Sequence, residues 1–373
     1  MENSLKVRLV SMRLGGVAPF EDGATLSFVA SKERADRDLL YAIPRFRMSL
    51  LPLVAIYGEA ASGKSTLVGA FGAIIEMVRE ASFSPLLSLS ARSDVETLSL
   101  SMVIAVDDRL YEYVVALQGA RVVKEALISA RSSSDEVLFL VEGDGPTPVV
   151  VPSIVTASHL LRRFDEMRAN DIDAIVRALG GAICVDALEL LDNREIVVKK
   201  STLVTISDFL EIISDNPSSL LKSIMTGGMD EDERASNDQV EANEGSTTTL
   251  SLRELSTSEG ALVAISSLLV GQIDDLKSGI VLIDNFDALL DFRITRFLLG
   301  KIAEGVKVGG LMSIVLVMKD TVFFDQGFFR RDQLVLTGGS GDNRSITSLA
   351  EISELRFDKD IRKMYVNRLF DSL

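Results

Sequence analysis

The chain has one cysteine (Cys184), one histidine (His159) and no tryptophan. A single thiol excludes an intrachain disulfide and a cysteine metal cluster, and it fits a reducing compartment. A single histidine excludes a His-rich metal site and any catalytic arrangement that uses two histidines. No run of about 18 uninterrupted apolar residues occurs, so no membrane-spanning helix is expected. The opening residues Met1-Glu2-Asn3-Ser4 lack the charged and apolar regions of a signal peptide. The expectation is therefore a cytoplasmic protein without membrane contact. Positive charge is also scarce: 39 Lys and Arg stand against 54 Asp and Glu, a net charge of −15. Such an excess repels nucleic acid at long range. The basic clusters Lys32-Glu33-Arg34, Lys199-Lys200 and Arg330-Arg331 are short and read as solvated surface. Any nucleic-acid contact is expected to fall mainly to a partner.

What is present is apolar material and one strong motif. At 373 residues and 47% hydrophobic, the chain can bury one large core or two smaller ones. Gly58-Glu59-Ala60-Ala61-Ser62-Gly63-Lys64-Ser65 fits the phosphate-loop pattern G-x-x-x-x-G-K-[ST]. Before it runs the strand-length stretch Leu50 to Tyr57, and after it Thr66 to Ile75 reads as a helix with an apolar face. Strand, glycine loop and helix N-terminus make a pocket of backbone N–H groups that suits a polyphosphate. In such a loop Lys64 reaches the β- and γ-phosphates, and the Ser65 hydroxyl holds Mg²⁺, with Thr66 opening the helix.

The first part of the chain alternates like strands: Leu5–Val10 and Ala24–Val29 lie either side of a turn around Gly15, Gly16 and Pro19. Thr97–Val106 and Leu110–Leu117 flank the short turn Asp107-Asp108-Arg109, a hairpin pattern, and Val122–Ile128 and Glu136–Glu142 extend the same antiparallel layer. From Ser158 to Met225 the apolar period becomes helical, at Leu160, Leu161, Phe164 and Met167 and again at Leu188, Leu190 and Leu191. Thr205–Ile213 reads as a capped helix. His159 is expected on the surface or partly packed. From Thr226 to Thr248 the chain is polar, with Asp230-Glu231-Asp232-Glu233 inside it, and reads as a solvated loop. Then strongly apolar strands return at Gly279–Asp284, Leu311–Met318 and Gln333–Thr337, as in a parallel sheet covered on both faces.

Two further pieces fit a nucleotide site. Asp284 closes an apolar strand, the position of an aspartate that supports Mg²⁺. Leu255-Ser256-Thr257-Ser258-Glu259-Gly260 leads into an apolar helix, and a small-residue turn there is an anion site; a plain capped helix has the same pattern.

Taken together, these segments resemble the ABC-type AAA-family ATPase heads of bacterial phage-defence and abortive-infection systems, relatives of the OLD-family nuclease ATPases and, more distantly, of SMC heads. The stretch Leu51 to Leu67 is similar to that family's opening motif, and Ser258-Glu259-Gly260 to its signature. Arg330 to Leu336, Ser348 to Ile352 and Asp360 to Tyr365 are similar to its closing segment. The resemblance implies an α/β fold, an ABC-type P-loop NTPase head with a mixed β-rich layer, a parallel core sheet and a helical insertion. It implies an N-terminal ATPase lobe over 1–157, a helical insertion over 158–225, an acidic flexible loop over 226–249 and a C-terminal ATPase lobe over 250–373. It also implies ATP and Mg²⁺ as cofactors, with Gly58 to Thr66 on the nucleotide, Ser258 and Gly260 on the nucleotide of a second copy, and Ser65 and Asp284 on the metal. Two heads would meet face to face, as a dimer or a higher oligomer. Because the sequence ends at Leu373, soon after the head, the effector, a nuclease in the OLD relatives, is expected in trans.

The chain departs from that family where hydrolysis is done. The family's water-polarising glutamate is replaced by Asn285, its switch histidine by Lys319, and a third histidine by Asp291. An amide orients water but cannot take its proton, and general-base catalysis is worth about 10²–10⁴-fold. The expectation is an ATP-binding antiphage subunit with weak or absent turnover, in which Lys319 or Asp287 are the remaining charged candidates. Two alternatives stand beside it: a non-hydrolysing nucleotide-binding scaffold, and a DNA-repair or SMC-like ATPase head. Tyr57 and Arg13 are candidates for the adenine, with Tyr57 also suited to packing at its strand end.

Overall fold

The computed structural model describes residues 5–32, 39–90, 96–119, 121–130, 135–142, 166–192, 195–199, 202, 206, 247–252, 255–275, 279–307, 312–325, 327–339, 344–352 and 361–367. They fall into two compact units, one of Met1–Cys184, Lys277–Asp284 and Val306–Leu373, the other of Val185–Leu276 and Asn285–Gly305. His159 and the acidic run Asp230–Glu233 lie outside the described residues.

The first unit opens with β1 (Val7–Gly15) and β2 (Thr25–Ser27). A small hairpin, β3 (Tyr41–Ile43) and β4 (Met48–Leu50), precedes β5 (Leu53–Gly58). The helices α1 (Lys64–Glu80) and α2 (Ser84–Ser90) follow. Next come β6 (Thr97–Val106), β7 (Arg109–Gln118), β8 (Arg121–Ala130) and β9 (Glu136–Glu142). These build an antiparallel sheet in the order β2-β1-β6-β7-β8-β9. The reason is period-two patterning: along β6 and β7 buried positions alternate with half-buried ones, so one face of the sheet meets the core. Asp107, at φ 51°, makes the tight β6–β7 turn, a backbone state that Asp tolerates better than most residues.

The second sheet is built from parallel strands. In chain order its members after β5 are β10 (Ile183–Asp186), β13 (Gly279–Asp284), β14 (Met312–Val317), β15 (Leu334–Gly338) and β16 (Ser345–Ser348). The spatial order is β10-β13-β14-β5-β15-β16; β13, β14, β5 and β15 pair in parallel, and β16 closes the edge antiparallel. All six residues of β13 are buried, the continuous apolar run of a strand covered on both faces.

α1 lies on this sheet because its packing outweighs its propensity. Gly69 and Gly72 inside it cost about 1 kcal/mol each relative to Ala. Leu67, Phe71, Ile74, Ile75 and Met77 are all buried, at roughly 1.5–3 kcal/mol apiece. A Cβ on Gly72 would sit 3.3 Å from Cys184 Sγ, so the small residue lets β10 approach the helix. Burial pushes the Cys184 thiol up to about 12. One core unites α1, both sheets and α3 (Glu166–Gly180), through Ile172, Ile175 and Leu179. The carboxylate of Asp171 on α3 accepts from the Tyr111 hydroxyl and pairs with Arg109 at 2.7 Å.

In the second unit β11 (Glu195–Lys199) and β12 (Thr247–Ser251) form an antiparallel pair, with Glu195 opposite Ser251. Two helices, α4 (Thr257–Asp275) and α5 (Phe292–Lys307), complete it. Between 158 and 225, where the sequence predicts a helical insertion, the described residues hold α3, β10, a single 3-10 turn at Glu189–Asp192 and β11. Of the capped helix expected at Thr205–Ile213, only Ile206 lies among the described residues, and it is helical. β10 falls inside the segment expected to be helical; Ile183, Cys184 and Val185 are apolar without alternation, and a run that short fits either state.

Candidate functional site

The phosphate-loop pattern sits at the C-terminal end of β5, as its context requires. Residues Val54 to Tyr57 are fully buried, so the strand is fixed on both faces. Gly58 has no room for a side chain: a Cβ there would lie 2.6 Å from the Thr337 carbonyl and 2.4 Å from Ser62 Oγ. Gly63 takes φ 95°, which disfavours other residues, and a Cβ on it would meet the Phe20 ring at 2.7 Å. Ala61 also holds a left-handed backbone, at φ 61°, with no glycine to ease it. α1 begins directly after Gly63, so its unpaired N–H groups open toward the loop.

Lys64 is buried, and its ammonium bends back onto the loop. Nζ donates to the Gly58 carbonyl at 2.6 Å, to the Glu59 carbonyl at 2.7 Å and to Ser62 Oγ at 3.3 Å. Burial is the main force lowering its pKa. Asp284 opposes that shift, Lys319 and Arg344 add to it, and Glu59 opposes it weakly. Asp284 and Lys319 thus both bear on the charge of the loop lysine. Ser62 Oγ lies 2.7 Å from Thr337 Oγ1, which also donates to the Tyr57 carbonyl at 3.2 Å. Thr337 and Arg344 were not legible in the sequence, since no motif connects the hairpin β15–β16 with the loop.

Asp284 is 5% exposed and ends β13, with β14 intervening between it and β5. The cradle fits a phosphate group. Two glycines stand where a Cβ would fill it, a lysine lies inside, and the Ser65 hydroxyl is exposed at the helix start. Ser65 and Asp284 are the oxygen donors that could hold Mg²⁺ beside a polyphosphate. Among the described residues no group of three or more His, Cys, Asp or Glu forms a self-sufficient metal site.

The position after Asp284 is differently arranged. Asn285 takes φ 53°, a conformation Asn tolerates. Its Nδ2 donates to both oxygens of Asp186, each at 3.0 Å. Asp186 Oδ1 also accepts the Leu188 N–H at 2.9 Å. Asp287 is buried. Asp291 caps α5: its Oδ1 accepts from Arg293 N at 2.7 Å and Ile294 N at 2.9 Å.

Ser258 and Gly260 lie in the first turn of α4. Ser256 caps that helix with Glu259, whose Oε2 accepts from Ser256 N at 3.0 Å and from its hydroxyl at 2.6 Å. Gly260 is needed for packing, since a Cβ would meet Leu191 Cδ2 at 3.0 Å. Tyr57 is not an adenine contact. It is fully buried, its hydroxyl reaches Met318 Sδ at 3.4 Å, and its ring stands edge-on to Phe324 at 4.5 Å. Arg13 is exposed and lines a separate cavity with Asp22 and Glu112.

The closing segment is structural. Arg330 holds Asp332 through Nε at 2.9 Å and Nη2 at 2.8 Å, and Ser31 donates to Asp332 from its N–H and hydroxyl at 2.7 and 2.8 Å. Burial alone would raise the Asp332 pKa, but Arg330 and Ser31 outweigh it and hold the carboxyl below its ordinary value. This network fixes the entry to β15. Asp360 lies outside the described residues, and Ile361–Val366 forms α6.

A phosphate loop on a parallel sheet, a carboxylate closing the strand two places away and an antiparallel layer in the same core are the parts of an α/β ABC-type P-loop head. No family model matches the chain, and no curated protein matches it in sequence. Solved structures resemble the chain at low identity. The SMC head domain from Thermotoga maritima is 14% identical, with 91% of this chain and 98% of that one covered and a TM-score of 0.47. An SmcHead bound to the C-winged helix domain of ScpA is 12% identical, covering 95% and 99%, with a TM-score of 0.48. The recombination mediator protein RecF of the RecFOR pathway is 12% identical, covering 92% and 99%, with a TM-score of 0.37. Among the described residues no helix is long and apolar enough to cross a membrane.

Proposed function

We propose that this chain is an ATP-binding, ABC-type head that uses nucleotide as an assembly ligand and turns it over slowly or not at all. Mg²⁺-ATP sits on Gly58 to Thr66, with Lys64 on its phosphates and Ser65 and Asp284 on the metal. When bound, the metal neutralises phosphate charge; the loop amides and Lys64 orient the phosphates. Ser258 and Gly260 of a second copy close over the nucleotide, so binding stabilises the dimer by mass action. In this reading the head belongs to an antiphage system and holds or releases an effector, a nuclease, supplied in trans. The defence role rests on the resemblance of the opening and closing segments.

The observation that carries weak turnover is the pair Asn285–Asp186. The residue placed to polarise water is an amide, and its N–H₂ end is engaged by a carboxylate. That favours the pure scaffold as the second reading. Calorimetry of the intact protein with Mg²⁺-ATP, followed by single-turnover hydrolysis with Lys64→Ala as control, tests both. ATP uptake lost in Lys64→Ala, with a rate well below ordinary ATPases (typically about 1–10³ s⁻¹ for enzymes), is expected. An absence of uptake by the folded protein overturns the nucleotide reading; an ordinary rate abolished by Lys64→Ala overturns weak turnover. Nucleotide-dependent dimerisation without turnover selects the scaffold, and turnover stimulated by a partner or DNA selects the defence ATPase.

A further inference from the structure

Beside the loop, in the same unit, lies a cavity of about 260 Å³ bounded by Gly58, Glu59, Ala60 and Ser62 on one side and by Thr337 and Arg344 on the other. Arg344 is held there by its backbone. Its N–H donates to the Pro19 carbonyl at 2.9 Å, its carbonyl accepts from Glu21 N at 2.9 Å, and Phe20 bridges to it in parallel. Phe20 is the residue whose ring closes over Gly63, so the turn that fixes Arg344 also covers the loop. The side chain is in a different state from Lys64. Lys64 Nζ has three acceptors, whereas Arg344 Nε is buried and meets none. A buried guanidinium N–H without an acceptor is costly, and more so because it is charged. Its planar fork matches phosphate oxygens. The two cations also repel each other across the loop.

We propose that Arg344 is a second cationic contact for the polyphosphate, reaching it from the β15–β16 hairpin across this cavity. This rests on the nucleotide-binding reading above and deepens it. An anion entering the loop satisfies the guanidinium and removes the repulsion between Lys64 and Arg344 in one event. The recognised group is phosphate and not the base, so the affinity gain extends to inorganic polyphosphate.

The test uses the full chain with Mg²⁺ and a fluorescent ATP analogue, displaced by ATP or by inorganic tripolyphosphate. Arg344→Gln removes the charge and leaves a shorter polar side chain; Arg344→Lys keeps the charge and removes the fork. Arg344→Gln is expected to weaken both competitors by the same factor, roughly 10- to 100-fold, with Arg344→Lys between it and wild type. Ligand-free thermal melting of Arg344→Gln is expected to stay at the wild-type value or rise, because an unsatisfied buried N–H is removed. Unchanged affinity for both competitors overturns the proposal. So does a loss for ATP alone, which places Arg344 against the base. If wild type binds neither ATP nor tripolyphosphate, the nucleotide reading itself falls. If Lys64→Ala abolishes binding while Arg344→Gln is silent, only the role of Arg344 falls.

Discussion

The phosphate loop and the turn after Asp284 have been treated in opposite ways. The loop carries the glycine spacing, lysine and hydroxyl of the phosphate-loop pattern, and the two glycines stand where side chains would clash with Thr337, Ser62 or Phe20. Lys64 is held by its own loop's carbonyls and by Ser62, contacts that a phosphate can replace. In the turn, the side chain that follows Asp284 is an amide already bound to Asp186. On the proposed function, binding and hydrolysis are separable parts of one fold, and a chain can keep the first while its second is rebuilt. The cost of rebuilding is local, because Asn285 adopts its left-handed backbone with little strain.

The largest test of this contrast restores the missing carboxylate. Asn285→Glu alone puts two carboxylates together with Asp186, and like charges disfavour each other. The double variant Asn285→Glu with Asp186→Asn removes that conflict. It is expected to raise single-turnover hydrolysis by up to about 10²–10⁴-fold over wild type, the range of general-base catalysis. The single variant should fall short of it. A double variant as slow as wild type breaks the comparison, since the turn would then not limit hydrolysis.

A smaller effect is expected on the other side. Gly58→Ala drives a methyl to 2.6 Å from the Thr337 carbonyl. Overpacking of this kind costs about 1–3 kcal/mol, and the displaced loop should lose ATP affinity as well. Chemical denaturation and calorimetry on the same sample separate the two losses. Ala61→Gly works in the opposite direction: it relieves a left-handed non-glycine residue and should stabilise the fold by up to about 1 kcal/mol. A destabilised Ala61→Gly would show that the φ of 61° is not a source of strain.

The smallest effect expected is acid sensitivity of the segment that anchors β15 behind the loop. The Asp332 carboxyl is held below its ordinary value, so its contribution is fully present above the unfolded-state value of about 3.9 and is lost as pH falls through the lower folded-state value. Denaturation midpoints of wild type and Asp332→Asn are expected to converge as pH drops below about 4. A constant gap across that range would mean that the Asp332 charge adds nothing to stability.

The loop was legible because its chemistry is local. Eight consecutive residues carry the glycine spacing, the lysine and the hydroxyl, and the apolar stretch before them has one sensible structure. The hairpin β6–β7 and the strand β13 were legible for the same reason, through alternation in one and a continuous apolar run in the other. Within the segment 158–225, β10 was not legible: Ile183, Cys184 and Val185 form a short apolar run that fits helix or strand alike, and they pair with β13. Signature-like Ser258-Glu259-Gly260 was ambiguous in sequence, and its first turn is in fact a capping box in which Glu259 serves Ser256.

By itself the sequence determined a phosphate-loop pattern between a strand and a helix, a β-rich layer and a parallel sheet, because each follows from residues adjacent in the chain. Only the tertiary structure decided which distant groups answer to the loop. Asp186 meets Asn285, Thr337 meets Ser62, and the Arg344 guanidinium lines the cavity beside Gly58. These pairings join segments far apart in sequence, and they are set by the order in which strands pack into a sheet, which no local pattern encodes.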